Sequence, residues 1–113
     1  MIPVRAARDR LLFLCDANAV TEGESLRVEG GGNAYAVFKL ASGYFVTADA
    51  CTHGPGSLSE GMVLGEEIEC PFHQGRFHIP SGRPVAPPCS EPVRCWTTHV
   101  IDGHIMIDPD ERR

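Results

Sequence analysis

The chain has 113 residues, a length that permits one compact domain. Its ten basic and fifteen acidic residues give a formal net charge of −5, and nine of the basic residues are arginines spread along the chain. This balance excludes a general binder of the nucleic-acid backbone, and the hydrophobic fraction of 42% argues against an intrinsically disordered chain.

The N-terminal segment imitates a secretory signal without completing one. Arginines precede an apolar run at residues 11–15, but the run is too short for a signal peptide and Asp16 interrupts it. No apolar run approaches the roughly 20 residues that span a membrane. The five cysteines are an odd number, which argues against the disulfide framework of a secreted protein. We therefore expect a cytoplasmic protein that does not associate with membranes.

Short apolar segments between turn residues predict an all-β fold, a small sandwich or barrel of antiparallel sheets. The predicted strands, in chain order, are residues 11–15, 25–28, 34–40, 44–47, 93–100 and 104–107. Turn signals predict tight hairpins at residues 30–33 and at Asp102 and Gly103. Residues 16–20 are expected to form a single helical turn, because no longer stretch keeps a helical period.

The segment 48–88 differs from the rest, because it is rich in glycine and proline and has little strand pattern. A loop-like stretch of about 40 residues is unusual in a compact domain unless something else organises it. The segment also holds two of the cysteines and three of the five histidines. We therefore expect a metal to organise it.

Two short motifs in this segment each pair a cysteine with a histidine. Cys51 and His53 form the first motif, and Cys70 and His73 form the second, in the pattern C-x-H-x16-C-x2-H. Such residues suit either a Cys₂His₂ zinc site or a [2Fe–2S] centre with two cysteines on one iron and two histidines on the other. Zinc modules usually place both cysteines in one arm and both histidines in the other. Each arm is mixed here, which favours the iron–sulfur centre.

The two motifs resemble the Rieske-type ferredoxins of bacterial aromatic-ring-hydroxylating dioxygenase systems. The resemblance covers about residues 28–107 and is most specific in the ligand loops, which read CTHG from Cys51 and CPFHQGRF from Cys70. It implies one domain over residues 1–113, with three stacked antiparallel sheets and a small cluster-binding subdomain, about 48–80, inserted in a base domain. It also implies one [2Fe–2S] cluster, with Cys51 and Cys70 on the inner iron and the Nδ1 atoms of His53 and His73 on the outer iron.

The resemblance further implies an electron carrier, not an enzyme. Such a carrier takes single electrons from an NAD(P)H-dependent flavin reductase, delivers them to a terminal Rieske oxygenase, and works as a monomer. Two alternatives stay open: a Rieske-type small subunit or carrier for another reductase, such as nitrite reductase, and a Cys₂His₂ zinc-binding interaction module. The oxygenase itself does not fit the chain length, because its mononuclear iron site needs a further domain.

Four positions in the loops differ from respiratory and photosynthetic Rieske proteins. Gly56 and Phe72 stand where those proteins carry disulfide-forming cysteines, and Gly75 and Phe77 stand where they carry hydroxyls that donate to sulfur. Fewer hydrogen bonds to sulfur stabilise the reduced cluster less. We therefore predict a reduction potential at the low end of the Rieske range, about −150 mV.

Other residues have less specific interpretations. We expect a flat docking face around Pro55 and Pro88, and the loop 84–88 either lies across the cluster or is only a rigid connector. Four acidic residues either steer a basic partner or form a solvated turn: Glu60, Glu66, Glu67 and Glu69. The histidines outside the motif are interpreted as non-ligands and the other cysteines as buried small apolar residues: His78, His99 and His104, and Cys15, Cys89 and Cys95.

Overall fold

The computed structural model describes residues 11–52, 56–71, 74–87 and 89–111. Within these ranges lie eleven strands: β1 Leu12–Asp16, β2 Glu24–Gly30, β3 Asn33–Leu40, β4 Gly43–Ala48, β5 Met62–Leu64, β6 Glu67–Glu69, β7 Arg76–His78, β8 Pro84–Ala86, β9 Cys95–Trp96, β10 His99–Ile101 and β11 His104–Ile107. Two 3₁₀ turns occupy Ala17–Ala19 and Leu58–Glu60. Among these residues, no helix has the length and apolar character needed to cross a membrane.

The strands form three sheets in which neighbouring strands run antiparallel. The first sheet has the order β1-β11-β10, the second β2-β3-β4-β9 and the third β5-β6-β7-β8. The predicted all-β class with three antiparallel sheets is therefore confirmed.

The second sheet is the middle layer, because its long strand β3 is buried on both faces. Ala36, Phe38 and Leu40 face a core shared with the third sheet, whereas Tyr35 and Val37 face a core shared with the first sheet. Successive side chains of a strand point to opposite faces, so one strand serves both cores. This arrangement explains why residues 34–40 form a nearly continuous apolar run.

Both predicted hairpins are confirmed. Gly31 and Gly32 connect β2 to β3 with φ values of 57° and 84°, and Asp102 and Gly103 connect β10 to β11 with φ values of 53° and 77°. Two consecutive residues with positive φ are the requirement of a type I′ turn, which glycine and aspartate tolerate best. The single helical turn expected after β1 is also present, at Ala17–Ala19.

Two strand predictions are wrong. Residues 93–100 do not form one strand, because β9 pairs with β4 in the second sheet and β10 pairs with β11 in the first. Residues 48–88 are not loop-like throughout, because they contain β5 to β8 and one 3₁₀ turn. Each of these four strands has only three residues, which is too few to display a readable alternation. Pro84 begins β8 at the edge of its sheet, where a residue without N–H is tolerated.

Candidate metal centre

The first cysteine of the motif, Cys51, begins a hairpin loop that follows β4. Its backbone N–H donates to the carbonyl of Gly56 at 2.9 Å, and Ala50 forms an antiparallel bridge with Ser57 just outside this bond. The side chain of Cys51 is 6% exposed and packs in the core between the second and third sheets. The loop therefore has a closed base and presents a buried thiol.

The second cysteine of the motif, Cys70, begins a loop with the same closure. It follows β6 directly, and its backbone N–H donates to the carbonyl of Gly75 at 2.7 Å before β7 begins. Cys70 is fully buried, and Gln74 takes the left-handed conformation with φ 60°. Each cysteine thus donates to the carbonyl five residues further on, and the two loops are built on one pattern.

The fold brings the two cysteines into one neighbourhood, together with a third. Cys51, Cys70 and Cys89 all belong to the core between the second and third sheets. Burial raises the pKa of the Cys89 thiol above its ordinary 9.0, a side-chain hydrogen bond with Cys51 lowers it, and the charge of Cys70 raises it. Both cysteines of the motif therefore affect the pKa of the Cys89 thiol.

The two histidines of the motif, His53 and His73, lie outside the described residues, as do Pro55 and Pro88 of the expected docking face. Within the described part of the chain, no group of three or more His, Cys, Asp or Glu side chains is arranged to hold a metal ion. The structure therefore describes only the two cysteines of the predicted ligand set.

The loop of Cys51 is anchored by Asp49, a buried carboxylate that the sequence analysis did not single out. Its Oδ1 accepts the backbone N–H of Ser59 at 2.9 Å, and its Oδ2 accepts Nε of Arg27 at 3.1 Å. Its backbone carbonyl also accepts the N–H of Leu58 at 2.7 Å. The pKa of Arg27 is raised above its ordinary value by Glu29 first and by Asp49 as well. These bonds hold both sides of the loop base together.

A second connection joins the Cys51 loop to the segment before β9. The Thr52 hydroxyl donates to the backbone carbonyl of Glu91 at 2.9 Å, across 39 positions of sequence. Cys89, two residues before Glu91, is 7% exposed and lies in the same core as Cys51. Its burial agrees with the interpretation of this cysteine as a buried small residue.

The histidines outside the motif have polar neighbours of their own. His78 Nδ1 lies 2.7 Å from the Ser81 hydroxyl. His99 Nε2 lies 2.8 Å from a carboxylate oxygen of Glu111, and His104 Nε2 lies 3.5 Å from a carboxylate oxygen of Asp16. These partners are consistent with the interpretation of all three as histidines that do not bind the metal.

Two of the four acidic residues expected near the loops have partners. The Ser42 hydroxyl donates to Glu66 at 3.0 Å, and Arg76 donates to Glu67 at 3.1 Å. The Arg76 and Glu67 side chains are both partly exposed, so the pair contributes little to stability. Part of the negative charge of this surface is thus neutralised locally.

Two buried thiols, presented by two matched hairpin loops of a three-sheet β domain, fit a small iron–sulfur cluster. Thiolates are the ligands that such clusters require, and a surrounding core of buried apolar residues limits access of water. This fold and donor set define a class of cluster-binding electron carrier.

The match to a known family agrees with this class. The family model described as "Rieske [2Fe-2S] domain" matches residues 10–97, and the chain belongs to this family. It therefore binds one Rieske-type [2Fe–2S] cluster, and the zinc-module alternative is wrong.

Relatives of known role narrow the class further. The ferredoxin component of the p-cumate 2,3-dioxygenase system of Pseudomonas putida is 44% identical over 100 residues, which are 87% of this chain and 85% of the relative. Among solved structures, the ferredoxin of Sphingomonas yanoikuyae B1 has a TM-score of 0.83 at 39% identity, covering 86% of this chain and 96% of that one.

A third similar structure is a complex of reduced oxygenase and oxidized ferredoxin in carbazole 1,9a-dioxygenase. The matched chain has a TM-score of 0.83 at 36% identity, covering 91% of this chain and 95% of that one. The relatives are ferredoxin components, so this chain is an electron-transfer protein and not a catalyst by itself.

Proposed function

We propose that the chain carries single electrons from an NAD(P)H-dependent flavin reductase to the terminal oxygenase of an aromatic-ring-hydroxylating dioxygenase system. The observation that carries the proposal is the 44% identity to a dioxygenase ferredoxin component over most of both chains. The oxygenase partner is supported by a similar ferredoxin solved together with an oxygenase. A flavin enzyme fits the reductase side, because a hydride supplies two electrons and a flavin passes them on singly.

The ligand set in this proposal is Cys51 and Cys70 on the inner iron and His53 and His73 on the outer iron. The buried positions and shared neighbourhood of the two cysteines support their half of the set. The spacing of the two histidines in the matched loops supports the other half. When bound, the cluster supplies reversible one-electron chemistry at a potential above that of all-cysteine plant-type centres.

The residues of the chain hold this centre and shield one side of it. Leu58, Ile68 and Phe77 are fully buried in the core that contains Cys51 and Cys70. A partner protein cannot reach the cysteines through that core. We therefore assign electron transfer to the loop side, where the sequence places His53 and His73, and expect a small and short-lived encounter there.

The oligomeric state, the cellular location and the domain organisation of the chain complete the proposal. We expect the chain to work as a monomer in the cytoplasm, and the odd number of cysteines argues against the disulfide framework of a secreted protein. Its cluster-binding subdomain covers about residues 48–80, which include both cysteine loops. The rest of the single domain, residues 1–113, is the base that supports these loops.

Replacement of one proposed ligand tests the assignment. We expect His73→Ala to lose the red-brown absorption and the EPR signal of the reduced cluster. His78→Ala is the matched control, since His78 bonds Ser81, and we expect it to keep both signals. Iron and acid-labile sulfide in the unmodified protein should each be near two per chain. Absence of sulfide, or an unchanged spectrum of His73→Ala, contradicts the proposal.

A reconstitution tests the place of the chain in electron transfer. The probe is the reductase and oxygenase of the p-cumate 2,3-dioxygenase system of Pseudomonas putida, with its own ferredoxin left out. We expect NADH oxidation coupled to product formation when this chain is added, and neither coupling nor product with His73→Ala. Failure of the reductase to reduce the chain, or of the chain to reduce the oxygenase, contradicts the proposed partners.

A further inference from the structure

We infer that Thr52 is a positioning residue of the centre, whose hydroxyl attaches the first ligand loop to the segment 83–92 and thereby limits movement of the arm that joins Cys51 to His53. The inference rests on the proposed function, because it takes Cys51 and His53 to be iron ligands. Thr52 is the one residue between them in the sequence, and the inference gives this residue a role of its own.

The first support is the hydrogen bond that the Thr52 side chain makes. Its hydroxyl donates to the backbone carbonyl of Glu91 at 2.9 Å, across 39 positions of sequence. This separation lies within the ordinary range of O–H···O hydrogen bonds. Thr52 is exposed, so its side chain contributes little to the packing of the core. Its contribution is therefore the attachment itself.

The second support is that the acceptor belongs to a segment with a fixed position. The N–H of Val93 donates to the carbonyl of Gly82 at 2.9 Å, which closes the base of the segment 83–92. Nearer to the acceptor, the N–H of Cys89 donates to the carbonyl of Ala86 at 3.2 Å, and the Cys89 side chain is buried. Compact loops with closed ends keep their shape through such internal contacts. The acceptor carbonyl is thus held by contacts of its own segment.

The third support is the place of Thr52 within the first ligand loop. The bond from the N–H of Cys51 to the carbonyl of Gly56, at 2.9 Å, closes the base of this loop. Thr52 follows Cys51 directly, so its hydroxyl adds a point of attachment beyond the closed base. Because Thr52 alone separates Cys51 from His53, holding it restricts the backbone torsions that orient both proposed ligands.

This attachment has two chemical consequences. Hydrogen bonds outside the ligand set hold metal ligands in position, and their loss commonly weakens metal binding. An arm that is less firmly held allows a range of ligand orientations around the outer iron, which broadens the EPR lines of the reduced cluster. It also gives water and chelators easier access to the iron. We therefore expect Thr52 to affect both the sharpness of the spectrum and the rate of iron loss.

The test compares two substitutions of Thr52 in the cluster-loaded protein. Thr52→Val removes the hydroxyl and keeps the branched shape, and we expect broader EPR lines and loss of iron to EDTA about three- to tenfold faster, the range that follows from loss of one hydrogen bond. Thr52→Ser keeps the hydroxyl, and we expect the wild-type line width and a rate within about twofold of wild type.

Tyr44→Phe is the matched control, because the Tyr44 hydroxyl also donates to a distant backbone carbonyl, that of Ala17 at 3.2 Å, but far along the chain from the ligand loops. We expect this variant to lose iron at the wild-type rate and to keep the wild-type line width. Iron loss is measured at one temperature below the thermal transition of every variant, so that it does not report global unfolding.

Three results would overturn the inference. They are equal rates and line widths in wild type and Thr52→Val, a serine variant that behaves like the valine variant, and a lower thermal midpoint of Thr52→Val with an unchanged line width. If Thr52→Val binds no cluster, Thr52→Ser decides: wild-type behaviour supports the inference, and loss of the cluster there as well overturns it. None of these results alters the sulfide content of wild type or the spectrum of His73→Ala, so failure of this inference is distinguishable from failure of the proposed function.

Discussion

Removal of the Asp49 carboxylate should loosen the first ligand loop more than any surface charge change nearby. Asp49 accepts the N–H of Ser59 and the Nε of Arg27, and its side chain is only 3% exposed. Asp49→Ala therefore leaves the Ser59 N–H, at the base of the Cys51 loop, without its acceptor. We expect lower stability of the fold and faster loss of the cluster.

The size of the effect follows from these contacts. A buried donor left without a partner costs about 1–3 kcal/mol. The Arg27 partner adds little, because its side chain is 48% exposed and returns to water. With roughly 4–8 °C per kcal/mol for a domain of about 100 residues, the thermal midpoint should fall by about 4–24 °C. Asp49→Asn keeps an oxygen acceptor for the Ser59 N–H and should lower the thermal midpoint less than Asp49→Ala does.

The assay is a thermal scan of the cluster-loaded protein by far-UV circular dichroism at one fixed scan rate. The visible absorption of the cluster is followed in parallel at a constant temperature below the transition. Release of the cluster makes unfolding irreversible, so rates and midpoints are compared only between variants treated identically.

Glu29→Ala is the matched control, because Glu29 also pairs with Arg27, at 2.8 Å, but is exposed. Substitutions at exposed sites usually change stability by less than about 0.5 kcal/mol. We therefore expect the Glu29 variant to unfold like wild type. The reasoning is refuted if the two alanine variants are equally destabilised, or if Asp49→Ala keeps both the midpoint and the bleaching rate of wild type.

Three further predictions use other features. Gly82→Ala should lower the free energy of unfolding by more than about 2 kcal/mol, because Gly82 has φ 74° and a Cβ there would meet the Val93 carbonyl and lie 2.7 Å from Cys95 Sγ. Gly65 has φ 63° but open space around it, so Gly65→Ala should be clearly less destabilising in the same thermal scan. Burial first, and the charge of Asp16 second, raise the pKa of the Cys15 thiol above its ordinary 9.0. The thiol of the unfolded chain therefore ionises at lower pH than that of the folded chain, and stability should fall as the pH rises from about 9 through the folded pKa. Denaturation measured against pH should show this loss in wild type and a smaller loss in Cys15→Val. The reduction potential of wild type should lie near −150 mV, and a clearly positive midpoint by voltammetry would show that the loop departures at Gly75 and Phe77 do not govern it.

The sequence predicted the strands and turns that carry a strong local pattern, but not the sheet that is built from three-residue strands. Strand β3 and the two type I′ turns were readable, because a long apolar run and paired turn residues carry their own signal. The third sheet was not, because its strands have three residues each and acquire order only by pairing with one another. The break between β9 and β10 was missed for a related reason, since apolar residues on both sides do not reveal a change of sheet.

At the site, the sequence predicted the cysteines of the two loops but did not single out Asp49, which supports the first loop. Cys51 and Cys70 stand in short motifs whose spacing is itself informative. Asp49 acts through contacts with Ser59 and Arg27, which are 10 and 22 positions away in the sequence. Such contacts depend on how distant segments meet in three dimensions, which no local pattern records.

The two-sided burial of β3 separates changes that affect the ligand loops from those that do not. A new side chain at Phe38 alters the volume behind Cys51 and Cys70, whereas one at Val37 alters only the opposite core. Substitutions at neighbouring positions of one strand therefore disturb different cores. Those that face the first sheet change the fold's stability without changing the packing around the redox centre.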